Sequence, residues 1–264
     1  SSVAVGYRAL RTQNAGSTSY NVAVGTLAGS TITTGVQNTI VGGNAGLSVT
    51  TGSRNIAIGY AALTVEDTGG RNIAIGRSAL QVLDAGQDGY NVAIGDDAGV
   101  SMTTGTKNII MGGRAGDALT TGNYNTAIGH EALSTEDTHS ANVAIGYQAL
   151  KTQNAGADAY NTAVGHAAGV AVTTGIYNTL IGGLAGDSLT IGNSNVAVGM
   201  LALSASVDGD YNTAVGYQSL KNYEDGDGDG NNTAVGANSQ AAATTGEFNT
   251  SLGSLSMGVG VTTG

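Results

Sequence analysis

Three aspartates near the end of the chain have the spacing of a cation-binding loop. Asp225, Asp227 and Asp229 alternate with glycine, which places carboxylates at the first, third and fifth positions and Gly230 at the sixth. The first half of an EF-hand calcium loop is built in this way. The twelfth position, where that loop needs a bidentate carboxylate, is Gly236. The EF-hand interpretation therefore fails, and two interpretations stay open: a looser calcium site or an acidic loop in solvent.

A second group of candidate binding residues consists of six tyrosines at recurring places. Three of them directly precede an asparagine and recur at equal intervals along the chain, and the other three share a different fixed place in the repeat described below. Exposed aromatic rings could stack on sugars and form a periodic contact surface for a glycan or another partner. The alternative is that each tyrosine covers its loop and caps the edge of the core. The six are Tyr7, Tyr20, Tyr90, Tyr147, Tyr160 and Tyr217.

Other chemistry does not stand out in the sequence. His130, His139 and His166 share no metal-binding spacing, and we expect them in exposed turns. We find no nucleophile elbow, no phosphate-binding loop and no paired carboxylates in an insertion that breaks the repeat. The sequence therefore predicts a protein that is not an enzyme and has no organic cofactor, with calcium as the one cofactor to consider.

These residues are carried by a short tandem repeat. The pentapeptide NVAVG at Asn21 returns in related form in fifteen repeats, which follow one another at a 17-residue step, with every fourth step lengthened to 19 or 20. Four repeats thus form a super-repeat, which begins again at Asn91 and Asn161. We predict one array of fifteen coils over residues 1–264. Because both ends cut the pattern without a capping sequence, we also expect a longer polypeptide.

Two positions hardly vary when each repeat is numbered from its asparagine. Position 1 is asparagine in all repeats but the first, and position 5 is always glycine. Asparagines stacked at strand spacing predict a ladder of hydrogen-bonded amides, and the glycine indicates backbone that a side chain would forbid. We assign these structural roles to every copy, including Asn21, Asn38, Asn55 and Asn72 and the glycines Gly25, Gly42, Gly59 and Gly76.

The residues between these two positions predict a short strand. Positions 2 and 4 are β-branched or large aliphatic residues, and position 3 is usually alanine. We expect position 4 to be buried on one strand face and position 3 to pack closely on the other, so that the coil interior uses one face and a subunit interface the other. Positions 8 and 9 predict a weaker strand or a corner.

Stacking of these coils predicts an all-β parallel β-solenoid. So short a unit cannot bury a core alone, but each coil can pair with the coils on either side. No window sustains the apolar spacing of a helix. The chain has 44 glycines and no proline, cysteine or tryptophan, so disulfides and zinc–thiolate sites are excluded.

Charge and hydropathy narrow the range of partners. The net charge of −10 argues against nucleic acid. Acidic residues of the longer loops, among them Asp84, Asp88, Glu136 and Asp137, are interpreted as a solvated surface of like charges. No apolar run approaches the ~20 residues of a membrane span.

The repeats resemble those of a known family. NTAVGYQSL (212–220), NVAIGYQAL (142–150) and the TTG turns between them look like the repeats of phage tail-fibre proteins, which often end in an endosialidase-type intramolecular chaperone. The shorter VAIG or VAVG core is similar to the head repeats of trimeric autotransporter adhesins, whose repeat is shorter. The resemblance implies a left-handed parallel β-roll of 17–19-residue coils, with three identical chains packed side by side.

The resemblance also implies a function outside the cell or on a virion. The leading hypothesis is the shaft or head segment of a phage tail fibre, a homotrimer that gives reach and rigidity for host attachment. One alternative is a bacterial adhesin head that binds a host glycan, receptor or matrix directly along its side. Another is an extracellular filament in which such chains join end to end.

Overall fold

A computed structural model of the chain describes residues 1–16, 18–224 and 229–257. The part of the chain that it describes contains short parallel β-strands joined by turns and no helix. The residues divide into two compact units, Ser1–His130 and Glu131–Gly264. Within each unit every strand pairs with the next one along the chain. The predicted all-β parallel solenoid, with mainly 17-residue coils, is therefore confirmed.

Each repeat contributes one strand of three residues. In the N-terminal unit these are β1 (Val3–Val5), β2 (Val22–Val24), β3 (Thr39–Val41), β4 (Ile56–Ile58), β5 (Ile73–Ile75), β6 (Val92–Ile94), β7 (Ile109–Met111) and β8 (Thr126–Ile128). In the C-terminal unit they are β9 (Val143–Ile145), β10 (Thr162–Val164), β11 (Thr179–Ile181), β12 (Val196–Val198), β13 (Thr213–Val215), β14 (Thr233–Val235) and β15 (Thr250–Leu252). Equivalent residues pair across neighbouring strands, so the register places each repeat position in a column.

In every strand from β2 to β15 the middle residue is buried and faces the coil interior. Ala23, Ile40 and Ala57 are fully buried, whereas the residues on either side of them are partly exposed, since successive side chains point to opposite faces. The expectation that position 4 is buried is therefore wrong within a single chain: Val24 and Ile58 face outward. The coil is too narrow for two large side chains from one strand, and alanine at position 3 suits its interior.

In most repeats one of two interior positions carries a large residue and the other a small one. The repeats with Ala23, Ala93 and Ala163 are small at both positions and receive side chains of neighbouring coils, such as Ile40 beside Gly29. Where position 3 is large, as in Ile40, position 9 is Gly46, and a Cβ on this glycine would lie 2.7 Å from the Ile40 Cδ1. Where position 3 is Ala57, position 9 is Leu63, which is fully buried. Because the interior is closely packed, the size of the residue at position 3 is related to the size of the residue at position 9.

The corner after each strand requires a backbone conformation that only glycine adopts easily. Gly25 has φ +136°, and a Cβ there would lie 2.5 Å from the Gly42 carbonyl oxygen of the next coil. Positions 8 and 9 form a turn and not a second strand. Leu63 at position 9 has φ +51°, and its N–H donates to the Ala79 carbonyl of the next coil at 3.0 Å.

The asparagines at position 1 are buried and connect the coils from inside. The Asn38 N–H donates to the Asn21 Oδ1 at 2.8 Å, and the same bond recurs between consecutive asparagines up to Asn125 in one unit and from Asn142 in the other. Most amide nitrogens donate instead to a glycine carbonyl of their own coil, as Asn55 Nδ2 does to Gly69 at 3.0 Å. The predicted ladder consisted of amides bonded to one another. In the structure most of its hydrogen bonds instead join an asparagine amide to a backbone N–H or carbonyl group.

Candidate functional site

A column of mostly exposed residues lies directly before the buried asparagines. Its residues have left-handed backbone, with φ of +52° at Tyr160 and +61° at Tyr177. The Tyr177 N–H donates to the Ala159 carbonyl at 2.8 Å, one coil away, which fixes the backbone of the column. This pre-asparagine column consists of Tyr20, Gln37, Arg54, Arg71, Tyr90, Lys107 and Tyr124 in the N-terminal unit, and of Ala141, Tyr160, Tyr177, Ser194, Tyr211, Asn231 and Phe248 in the C-terminal unit.

Neighbouring side chains of the pre-asparagine column contact one another. The rings of Tyr160 and Tyr177 stack with centroids 5.8 Å apart and planes at 12°. Lys107 Nζ lies 4.9 Å from the ring centroid of Tyr124 and donates to its hydroxyl at 3.0 Å. This hydrogen bond raises the pKa of the Lys107 ammonium above its ordinary value. Where aromatic and cationic residues adjoin in this column, their side chains are therefore ordered by contact with one another.

A second exposed column follows the strand at position 6. Tyr7, Tyr147 and Tyr217 belong to it, and the Tyr147 ring stacks on His166 with centroids 5.3 Å apart. Because one column precedes each strand and the other follows it, the two columns border the outward face of the sheet. That face carries the partly exposed aliphatic residues of positions 2 and 4.

All six tyrosines singled out in the sequence lie on the outer surface, with 46 to 62% of each residue exposed. The structure adds further exposed tyrosines that the sequence analysis missed, although they occupy the same two repeat positions in other classes. These are Tyr60, Tyr124, Tyr177 and Tyr211. By contrast, Tyr223 is fully buried at position 12.

The predicted calcium loop falls largely outside the described residues. Asp225 and Asp227 are not described, and Asp229 is exposed. Two other groups of side chains do bring possible metal ligands together, with ligand atoms within 4.8 Å of one another. They are the group of Glu66, Asp67 and Asp84 and the group of Glu136, Asp137 and His139.

Glu66 is a fully buried carboxylate at position 12, where about half of the repeats carry an aliphatic residue. Its Oε1 accepts the Gly69 N–H at 2.7 Å and its Oε2 accepts the Ala85 N–H at 3.3 Å. Burial raises the pKa of the Glu66 carboxyl to about 7, although both hydrogen bonds oppose that shift.

Glu136 occupies the same position one super-repeat later and is also fully buried. The interpretation of Glu136 as part of a solvated surface is therefore wrong. Burial raises the pKa of its carboxyl, and the hydrogen bonds from His139 oppose this shift. His139 is also largely buried, with 16% of its side chain exposed, and is not the exposed turn residue that we expected. The signal for the burial of Glu136 was its repeat position, which carries an aliphatic residue such as Val172 or Leu189 in about half of the repeats.

Comparison of the chain with models of protein families, with curated proteins and with solved structures found no match. The resemblance to tail-fibre and adhesin repeats therefore stays a prediction. Among the described residues, no helix has the length and apolar character needed to cross a membrane.

Proposed function

We propose that this chain is a structural segment, shaft or head, of a fibre that serves host attachment, most specifically a phage tail fibre. In this proposal three copies form a homotrimer of left-handed β-rolls on a virion surface or outside a cell. The chain supplies reach and rigidity, and its outer loops or a domain beyond this segment contact the host.

The observation that carries the proposal is the bonding between consecutive coils on more than one side. The strands pair in register, as β3 does with β4. The turn is bonded as well, since the Ala61 N–H donates to the Gly43 carbonyl at 2.9 Å. Inside, the asparagine ladder connects the same coils. A coil held at its sheet, its turn and its interior cannot tilt easily against the next coil, which favours a mechanical role.

The outward face of the sheet supports association with further copies. Ile109, Met111 and Ile181 at positions 2 and 4 remain 42, 37 and 39% exposed. A continuous row of aliphatic side chains in water is unfavourable, and a trimer packed side by side would cover it. The neighbouring copy is the natural occupant, because the face repeats with the same period in every chain.

The mass of the chain in solution tests this proposal. We expect light scattering to give three times the 25.9 kDa of one chain. Ile109→Glu should reduce the trimer, since it places a charge on the outward face, whereas Ile109→Thr should keep it because Thr126 and Thr162 occupy this position natively. A wild-type mass of one chain would contradict the trimer, and long homopolymers in electron micrographs would favour the end-to-end filament.

A second candidate function is direct binding of a glycan along the side of the chain. The observation that favours it is the ordered row of exposed rings, in which Tyr160 and Tyr177 are already stacked before any ligand arrives. Rings held in place lose little conformational freedom on binding. A glycan array probed with this chain alone separates the two functions, since binding without any further domain would favour the adhesin.

A further inference from the structure

Three side chains in the C-terminal unit form a compact group of different metal ligands. The Glu136 Oε1 lies 2.7 Å from the His139 Nδ1 and accepts the His139 N–H at 3.1 Å. The Asp137 Oδ1 lies 3.9 Å from the same ring nitrogen. One imidazole and two carboxylates are a donor set that suits zinc and related divalent transition metals.

A separate observation points to a ligand at this place. The second carboxylate oxygen of Glu136, Oε2, is buried and has no hydrogen-bond partner. An unpartnered carboxylate oxygen away from water is costly, because burial removes its hydration without a replacement. The equivalent Glu66 shows the contrast, since both of its oxygens accept backbone N–H groups. A bound cation would stabilise the Glu136 carboxylate where the protein leaves one oxygen unsatisfied.

The histidine is itself a departure from the repeat. The corresponding residues in the other two super-repeats are Gly69 and Gly209. A Cβ on Gly69 would lie 2.6 Å from the Gln87 carbonyl oxygen and against the Glu66 carboxylate. This position therefore normally excludes a side chain, and the coil with His139 accommodates an imidazole there, directly beside a buried carboxylate.

We propose that Glu136, Asp137 and His139 bind one divalent transition-metal ion of the zinc class. Glu136 Oε1 and His139 Nδ1 are 2.7 Å apart. Two metal–ligand bonds of about 2 Å require these atoms to separate by a few tenths of an ångström. His139 binds the metal through Nδ1 as the neutral imidazole whose single proton is on Nε2, and water completes the coordination. The group of Glu66, Asp67 and Asp84 has no nitrogen ligand and serves as an internal comparison.

Titration of the whole chain with Co²⁺ tests the site, since visible absorption reports the ligands directly and Zn²⁺ can then compete. We expect one Co²⁺ per chain, displaced by Zn²⁺, and an unfolding temperature that rises with Zn²⁺. His139→Gly should weaken binding at least ~10-fold. This variant should fold, because it restores the residue of the equivalent repeats.

Two further variants decide between this site and the internal comparison. Glu136→Ser introduces the residue found at Ser206 in the third super-repeat and should weaken binding as His139→Gly does. Glu66→Ser makes the same change one super-repeat earlier and should leave binding unchanged. Absence of Co²⁺ binding by the folded wild type, equal binding by His139→Gly, or preference for Ca²⁺ over Zn²⁺ would each overturn the proposal.

Discussion

Tyr160 and Asn161 are neighbours in the chain, but they belong to columns with opposite environments. Tyr160 is 53% exposed and stacks on the ring one coil away. Asn161 is fully buried, and its backbone N–H donates to the Asn142 Oδ1 at 3.1 Å. The column of asparagines keeps one residue type, whereas the pre-asparagine column contains aromatic, cationic and small polar residues. Contacts between coils therefore constrain the residue type in an inner column such as that of the asparagines. An outer column such as the pre-asparagine column lies on the surface and is free to carry a binding function.

The largest effect should come from a side chain at the inner glycine corner. Gly42→Val should destabilise the fold by more than about 4 kcal/mol, because the residue has φ +134° and its Cβ would meet the Gly59 carbonyl. Gly43→Ser is the matched control, since a Cβ there lies 3.5 Å from the Tyr60 ring and the position faces outward. Circular dichroism during heating measures both. Equal unfolding temperatures for the two variants would contradict the assignment of inner and outer columns.

Glu66 adds a pH dependence to the interior. Its pKa is raised from 4.5 to about 7 by burial, so the folded chain holds a proton that the unfolded chain releases in this range. The free energy of unfolding should therefore fall as the pH rises from 4.5 to about 7, by about 3 kcal/mol from this residue. Glu66→Gln mimics the protonated acid and should remove this part of the slope.

Urea unfolding at several pH values measures the contribution of Glu66 as a difference between two proteins. Burial also raises the pKa of Glu136 and Asp187, so the Glu66→Gln variant still loses stability with rising pH because of these other groups. Wild type and Glu66→Gln should have similar stability at about pH 4 and differ most above pH 7. Parallel curves across the whole range would show that Glu66 is not a buried, proton-binding group.

The asparagine ladder should give a somewhat smaller effect. Asn55→Ala leaves the Asn72 N–H and the Gly69 carbonyl without their partners, at about 1 kcal/mol for each of these two buried groups. Arg54→Asn changes the neighbouring residue of the outer column and should alter the stability by less than about 0.5 kcal/mol. Thermal unfolding of the two variants compares adjacent positions directly. A larger loss of stability for Arg54→Asn than for Asn55→Ala would contradict the view that the buried asparagines contribute more to stability than the exposed residues before them.

The inner columns could be predicted from the sequence because their physical requirements admit few residues. The glycine of position 5 and the asparagine of position 1 recur at fixed spacing, and this periodicity was enough to predict the parallel solenoid. The sequence did not show which face of the strand is inside, because residues such as Val24 and Ala23 are both apolar. Alternation identifies two faces, but the width of the coil decides which of them is the interior.

The burial of Glu66 and Glu136 was not predicted from the sequence for a related reason. Glu136 lies in a polar segment with threonine and aspartate, a composition typical of solvent-exposed loops. Its burial depends on the turn that brings position 12 back to the interior, where the equivalent residues Val172 and Leu189 of the same unit are fully buried as well. Comparing residues at equal repeat positions, instead of neighbours along the chain, would have placed Glu66 and Glu136 in the core.

The smallest effect on stability, and the sharpest test of the outer column, is expected from removing its stacked rings. The double variant Tyr160→Asn/Tyr177→Asn replaces both rings by asparagine. Asparagine adopts left-handed backbone readily and occupies this column natively at Asn231. The stability should change by less than about 1 kcal/mol, since a stacked pair contributes ~0.5–1.5 kcal/mol and much of this one is exposed. If the chain binds glycans along its side, the same variant should lose that binding on an array, whereas Gln37→Asn should retain it. Unchanged glycan binding by the double variant would remove Tyr160 and Tyr177 from the contact surface and leave the outer column without a binding role at this point.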